Sequence, residues 1–165
     1  MMISIHAAAG IVSSVFFIKE NNSPPGKKGI AVAAASNIAL HGAMDFLPHS
    51  HPISPYLDGI IVLLMTSLFF FVKREYKVLV FSCYLGGIIP DVIDLGVFRV
   101  LRFGSFKIFP WHYTSVFNFL NELYPHALVN ISFNVLSVAA CAGIVFFNRK
   151  RVRTIFSITT IGRKT

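Results

Sequence analysis

Long apolar stretches are the feature of this sequence that most restricts its fold. A helix needs roughly 17 to 25 residues to cross the hydrocarbon of a bilayer, and five stretches approach or reach that length. They are Ile3 to Ile18, Gly29 to Leu47, Tyr56 to Val72, Val78 to Phe98 and Ala127 to Phe147. Of the 165 residues, 55% are hydrophobic and only 13% are charged, which is unusual for a soluble domain. We therefore predict an all-α integral membrane bundle of about five transmembrane helices.

The basic residues predict how this bundle is oriented. Residues 1–147 are predicted to form a single transmembrane domain, followed by a basic tail at residues 148–165. The tail and the turns before the second and fourth spans hold all but three of the 15 Lys and Arg residues; the exceptions are Arg99, Arg102 and Lys107. Because cytoplasmic loops are enriched in Lys and Arg, we predict a cytoplasmic tail and an outside N-terminus, in the cell (inner) membrane. Topology and anionic lipid explain the net charge of +8, so no nucleic-acid partner is predicted.

The segment between the fourth and fifth spans mixes aromatic and polar residues. Thr114 to Leu123 has the pattern of a short amphipathic helix lying along the membrane surface. The aromatic residues around Trp111 suit the headgroup region, which predicts membrane anchoring. The small size of the chain is compatible with a homo-oligomer.

Ionisable residues gather on the predicted outer side, although only Lys and Arg were used to derive the orientation. All six His residues lie there, together with Asp45, Asp58, Asp91 and Asp94. A charged carboxylate at the centre of a membrane helix costs at least about 2.5 to 3.5 kcal/mol, so such residues face a partner, a cavity or an ion. A bound metal would compensate several of them together.

Two spacings in this set favour a metal site. His41 and Asp45 are four residues apart, which places their side chains on one face of a helix. Asp91 and Asp94 follow Pro90 and are three residues apart, which also turns them to a common side. Imidazole and carboxylate groups are ligands of Zn²⁺ and related divalent ions.

The predicted site combines these pairs with other His residues. A catalytic metal would leave a position for water and lower the pKa of that water, so that it could attack an ester or phosphoester. Asp94 is predicted to act as the general base or to support a ligand through a hydrogen bond. The predicted ligands of a divalent metal, with zinc favoured, are His6, His41, Asp45 and Asp91. Further candidates are His49, His51 and His112.

Plainer interpretations stay open for several of these residues. A hydrogen bond between His41 and Asp45 would explain the pair without a metal. Asp58 is most simply a partner of a helix N-terminus. His49 and His51 are equally compatible with an exposed loop.

Three short stretches resemble a family of membrane-bound metal-dependent hydrolases, small multi-helix inner-membrane proteins that include a LexA-binding member. The stretches are His6 before an Ala-rich helix, Ser36 to Pro48 with its His-xxx-Asp core, and Leu85 to Asp94. The order of the elements differs from that of the family, because the His-xxx-Asp core precedes the Pro-Asp element here. The resemblance implies a metal site in membrane helices more than it implies a substrate.

Three functions are compatible with the sequence. The first is a metal-dependent hydrolase that acts on an ester or phosphoester of a lipid-like substrate at the non-cytoplasmic face. The second is a metal or proton transporter, although the charges gather toward one side, whereas a carrier needs a site near the midplane. The third is a non-enzymatic membrane adaptor whose polar residues only hold helices together. Membrane lipids are the expected partners.

Overall fold

The computed structural model describes residues 2–47, 54–97, 101, 107–113 and 127–157, and these ranges are helical with short connections. The helices, in chain order, are α1 (Ile3–Ser13), α2 (Lys27–Asp45), α3 (Pro55–Thr66), α4 (Lys77–Asp91), α5 (Ala127–Phe147) and α6 (Arg149–Ile155). Short 3₁₀ turns lie at Ser14–Phe17, Ser67–Phe70, Arg74–Tyr76 and Pro110–His112, and a π-helical turn lies at Val92–Val97. The prediction of an all-α fold is confirmed for this part of the chain.

Fewer helices than predicted combine the length and the hydropathy needed to cross a membrane. Within the described ranges, one helical run is long and apolar enough, Arg74–Asp94. A second span is present if Ile131–Phe147 and Arg149–Ile155, which are bent by 83° relative to each other, are counted as one. The predicted first and third spans form shorter apolar helices, Ile3–Phe17 and Tyr56–Phe70. α2 has 19 residues, but the Lys, Asn, His and Asp side chains along it lower its hydropathy. The prediction of about five spans is therefore met only in part.

α4 packs against both α1 and α2, and two adjacent glycines allow this close approach. A Cβ atom at Gly86 would lie 2.5 Å from the carbonyl oxygen of Ala34 in α2. A Cβ atom at Gly87 would lie 2.6 Å from the carbonyl oxygen of His6 in α1. Because the crowding atoms are backbone, a side chain at either position would push the helices apart. The glycines thus bring the His-bearing parts of α1 and α2 against the last turns of α4.

Several of the most deeply buried apolar side chains lie along α1 and α4. Ala7 of α1 and Val15 of the turn that follows it are at most 2% exposed, as are Leu79, Val80 and Cys83 of α4. They belong to one contiguous cluster. Interiors packed in this way transmit strain rather than absorb it, so the helix positions around the cluster are well fixed.

The start of α1 is capped by Asp58, which lies in the first turn of α3. Its carboxylate accepts hydrogen bonds from the backbone N–H groups of Ile3, at 2.8 Å, and Ser4, at 3.1 Å. The first N–H groups of a helix have no partner within the helix, and a negative charge there also opposes the positive end of the helix dipole. Asp58 therefore fixes the turn of α1 that carries His6.

The basic helix α6 folds back toward the other end of α1. The guanidinium of Arg151 donates a hydrogen bond to the carbonyl oxygen of Val15 at 3.1 Å. The backbone N–H of Lys73 donates to the carbonyl oxygen of Ile155 at 2.9 Å. The predicted interfacial helix from Thr114 to Leu123 lies outside the described residues.

Candidate metal centre

Three helices and one connecting segment place His and Asp side chains together at one end of the bundle. His41 and Asp45 lie in the last two turns of α2, and Asp91 is the last residue of α4. His112 is supplied by the 3₁₀ turn Pro110–His112. His41, Asp45 and Asp91 are buried, with 1%, 8% and 7% exposure. Nitrogen and carboxylate donors of these four residues all lie within 4.8 Å of one another.

Five of the six distances among these donors are close to the edges of a coordination tetrahedron, and all six are within 4.8 Å. Asp45 Oδ2 lies 3.1 Å from His41 Nε2 and 3.2 Å from His112 Nε2. Asp91 Oδ1 lies 3.6 Å and 3.2 Å from the same two nitrogens, which are 3.4 Å apart. Ligands about 2.0 to 2.1 Å from a tetrahedral Zn²⁺ are about 3.3 to 3.4 Å from each other. The four side chains are therefore arranged as a divalent ion would require.

The tautomer of His41 is fixed by the backbone of α4. Its Nδ1–H donates a hydrogen bond to the carbonyl oxygen of Gly87 at 2.6 Å. Nε2 is then the nitrogen that is available to bind an ion, and it is the atom that faces the two carboxylates. A hydrogen bond from the distal nitrogen to a carbonyl is the usual support of a metal-binding imidazole. Gly87 thus serves both the packing of the helices and the orientation of a ligand.

Asp94 supports His112 in the same manner. Asp94 Oδ2 lies 2.9 Å from His112 Nδ1. The carboxylate also accepts hydrogen bonds from the backbone N–H groups of Ile108 and Phe109, each at 2.9 Å. With these three partners, Asp94 holds the 107–113 segment against the bundle and directs His112 Nε2 toward the cluster. Of the two roles predicted for Asp94, its contacts favour support of a ligand over general-base catalysis.

We expect Asp94→Asn to weaken metal binding while leaving all four donors in place. The amide keeps the shape of the side chain but removes the negative charge that orients the imidazole of His112, so affinity should fall about 10- to 100-fold. Isothermal titration with Zn²⁺ measures this, and saturating metal should still give the stoichiometry of the wild type. Unchanged affinity in the variant would contradict the supporting role.

Three carboxylates surround the imidazole of His112 and change its protonation. Burial alone would lower the pKa of His112, but hydrogen bonds with Asp45, Asp91 and Asp94 outweigh it and raise the pKa to about 10. Without metal, Nε2 therefore carries a proton at neutral pH. This proton has to leave before Nε2 can bind an ion.

Metal affinity should consequently depend steeply on pH. Because an ion and a proton compete for Nε2, the affinity for Zn²⁺ should rise about tenfold for each pH unit below the pKa of His112. Titrations at a series of pH values, in buffers of different ionisation enthalpy, measure both the affinity and the release of about one proton per bound ion. An affinity independent of pH would argue against His112 as a ligand.

His6 contacts the cluster but is not among the four mutually close donors. His6 Nε2 lies 3.1 Å from Asp45 Oδ1, the carboxylate oxygen that does not face the two other imidazoles. Its ring is stacked on that of His41, with centroids 3.8 Å apart. Among the described residues its Nδ1 has no hydrogen-bond partner, although the side chain is only 1% exposed. His6 was predicted as a direct ligand; among the described residues its contact is with the carboxylate of Asp45, and it lies outside the four-donor group.

Trp111 covers the cluster from the side of the connecting segment. Its ring centroid lies 6.3 Å from that of His41 and 6.2 Å from that of His112. A Cβ atom at Gly42 would lie 2.9 Å from the indole ring, so the absence of a side chain there allows the ring to approach α2. The sequence predicted only membrane anchoring for Trp111. The Gly in the turn between His41 and Asp45 was the available signal for a large side chain packed nearby.

The structure brings some of the predicted site residues into one cluster but not others. His41, Asp45 and Asp91 are joined by His112, which was predicted only as a further candidate. The contribution of Gly87 to ligand orientation was missed by the sequence analysis. His49 and His51 lie outside the described residues.

Comparison of this chain with protein-family models, with curated proteins and with solved structures found no match.

Proposed function

We propose that this protein is a membrane-embedded, metal-dependent hydrolase acting on an ester or phosphoester of a lipid-like substrate at the non-cytoplasmic face. The observation that carries the proposal is the tetrahedral arrangement of His41, Asp45, Asp91 and His112. Buried carboxylates and imidazoles are retained at such distances where an ion or protons hold them together. Nitrogen and oxygen donors in a tetrahedral set favour zinc, and manganese is the alternative.

The donors come from two kinds of element, which is compatible with a catalytic role. His41, Asp45 and Asp91 lie on packed helices, whereas His112 lies on a segment held by Asp94. A divalent ion activates water and stabilises the negative charge that develops on an ester or phosphoester oxygen. Three ligands from helices and one from the connecting segment would hold such an ion at the site.

The surface of the bundle supports placement in a membrane. Large apolar side chains are exposed on α3 and α5, including Leu63 at 71%, Leu136 at 62% and Phe147 at 84%. Apolar patches of this kind on a soluble monomer would be a site of association, whereas lipid covers them without a partner protein. The helices too short to cross a bilayer by themselves would be accommodated by local thinning of the bilayer or by the neighbouring helices.

The charges support the proposed orientation. Arg151 lies near the end of α1 that is away from His6, so the basic helix and the metal centre occupy different ends of the bundle. With α6 in the cytoplasm, as the positive-inside rule requires, the metal centre faces the non-cytoplasmic side.

Hydrolysis by the purified protein tests the proposal. Detergent-solubilised wild type, loaded with Zn²⁺ or with Mn²⁺, would be assayed on para-nitrophenyl esters and on bis-para-nitrophenyl phosphate. The expected result is turnover that disappears on chelation, returns on adding metal back and is absent in Asp91→Asn. A folded, metal-loaded protein that hydrolyses neither class of substrate would overturn the hydrolase assignment.

A structural metal in a non-enzymatic membrane adaptor is the second candidate. The observation that favours it is that four protein donors complete a tetrahedron, as in structural zinc sites, whereas catalytic sites keep one position open. This candidate predicts bound metal, a large loss of stability on chelation, and no turnover of either substrate class.

A further inference from the structure

A groove runs beside the metal centre between α1, α2 and α5. It has a volume of about 400 Å³. One end is lined by Ala9 and Met44, and Phe16 and Ile144 line it farther along. Met44 adjoins Asp45 in sequence, and Ala9 lies one helical turn from His6. The groove therefore begins at the level of the metal centre and extends toward the basic end of the bundle.

Three of the four Ser and Asn side chains that line this groove are already hydrogen-bonded within the protein, namely Ser13, Asn37 and Ser137. Ser13 Oγ lies 2.8 Å from both the carbonyl oxygen of Gly10 and Asn37 Oδ1. Asn37 Nδ2 donates to the carbonyl oxygen of Ala33 at 2.8 Å, and Ser137 Oγ donates to that of Phe133 at 2.9 Å. With these groups paired, the groove offers an occupant mainly apolar contact. A sugar, a nucleotide or a peptide would lose hydrogen bonds to water there without replacement.

The groove is long enough for part of an alkyl chain. From Ala9 to Phe16 the lining follows α1 and the 3₁₀ turn after it for seven residues, which is about 10 Å at the rise of a helix. A flexible alkyl chain can adapt its conformation to such an apolar groove. Apolar clefts with few polar groups are the usual form of such binding sites.

We propose that this groove binds one alkyl chain of the lipid whose ester or phosphoester group reaches the metal centre. The inference rests on the proposed function for the identity of the reacting group, and it assigns the groove the role of selecting substrates by chain length. The chain lies along the groove, and its headgroup end is placed beside Met44, which precedes the Asp45 ligand in sequence.

Neighbouring alanines of α5 provide a matched pair of variants. Ala140 lines the groove, whereas the adjacent Ala139 does not, and both are exposed. Ala140→Phe places a ring in the groove, and Ala139→Phe places the same ring on another face of the helix. Because neither residue is in the core, both variants should fold and bind Zn²⁺ as the wild type does. Cys141→Phe fills the groove from the next residue and serves as a second test.

Binding of cis-parinaric acid, a fluorescent fatty acid, tests the groove without requiring catalysis. Trp111, the only Trp in the chain, is the donor for energy transfer to the probe. Each methylene kept out of the groove should weaken binding about fourfold, so Ala140→Phe should bind at least about tenfold more weakly than Ala139→Phe. Equal binding in Ala140→Phe, Cys141→Phe and Ala139→Phe would overturn the proposal.

Turnover of a long-chain and a short-chain ester distinguishes failure of the groove proposal from failure of the hydrolase assignment. If the protein is a hydrolase, Ala140→Phe should lose turnover of para-nitrophenyl palmitate while keeping turnover of para-nitrophenyl acetate. Loss of both esters to the same extent would contradict a role for the groove in selecting the chain. If wild type hydrolyses neither ester but the binding difference between Ala140→Phe and Ala139→Phe is found, the groove still binds an alkyl chain and only the hydrolase assignment fails.

Discussion

Asp45→Asn is expected to abolish metal binding in a protein that still folds. Asp45 contacts His6 through Oδ1 and contacts His41 and His112 through Oδ2. The neutral amide keeps the volume of the side chain but binds divalent ions far more weakly than a carboxylate does. We expect purified wild type to carry about one ion per chain, and the variant to lose more than about 100-fold in affinity, which exceeds the effect of losing a supporting hydrogen bond. Mass spectrometry of metal content and titration with Zn²⁺ measure the two quantities.

Asp58→Asn is the matched control for this experiment. Asp58 is likewise a buried carboxylate, at 6% exposure, but it caps α1 and lies outside the four-donor cluster. Asp58→Asn should lower stability and retain the ion. Equal metal content in wild type, Asp45→Asn and Asp58→Asn would show that the bound ion lies elsewhere, and background metal in folded wild type would remove the metal centre altogether.

Gly87→Ala is expected to disturb both the packing of the bundle and the metal centre. The added methyl group would lie 2.6 Å from the carbonyl oxygen of His6, so α1 has to move away from α4. Overpacking of this kind costs about 1 to 3 kcal/mol of folding free energy. The movement also shifts the carbonyl oxygen that accepts the proton of His41 Nδ1, so metal affinity should fall about 10- to 100-fold. Thermal unfolding in detergent and Zn²⁺ titration measure the two effects.

Gly143→Ala in α5 provides the comparison. No atom lies within 4 Å of a Cβ built at Gly143, so the methyl group meets open space. Since Ala is a better helix former than Gly, this variant should be as stable as wild type or slightly more stable, with unchanged metal affinity. If Gly87→Ala behaved like Gly143→Ala, the close approach of α1 to α4 would be wrong.

The apolar runs of the sequence predicted the positions of the helices better than they predicted which helices are able to cross a membrane. The fifth predicted span and α5 have the same bounds, Ala127–Phe147, and α2 lies within two residues of the predicted Gly29 to Leu47. The first and third predicted spans shorten, because their last turns tighten into 3₁₀ geometry at Ser14–Phe17 and Ser67–Phe70. A run of apolar residues shows that a segment avoids water but does not show where its α-helix ends.

The sequence by itself determined which side chains share a helical face. Four residues separate His41 from Asp45, and the geometry of the helix then places His41 Nε2 and Asp45 Oδ2 on the same side, 3.1 Å apart. The same rule predicted a common side for Asp91 and Asp94, but these two carboxylates face different neighbours. α4 widens into a π-helical turn after Asp91, and Asp94 faces the 107–113 segment while Asp91 faces the cluster.

Only the tertiary structure decided which residues meet across helices. His112 joins the cluster because Asp94 holds its segment in place, and His6 contacts Asp45 because Gly87 lets α1 pack closely against α4. Such distances depend on how tightly helices pack and on the path of the chain between them, which no local spacing encodes. The sequence therefore predicted a helical protein with its His and Asp residues on one side. The packing of α2 and α4, with the 107–113 segment held by Asp94, brings donors of four of them within 4.8 Å of one another.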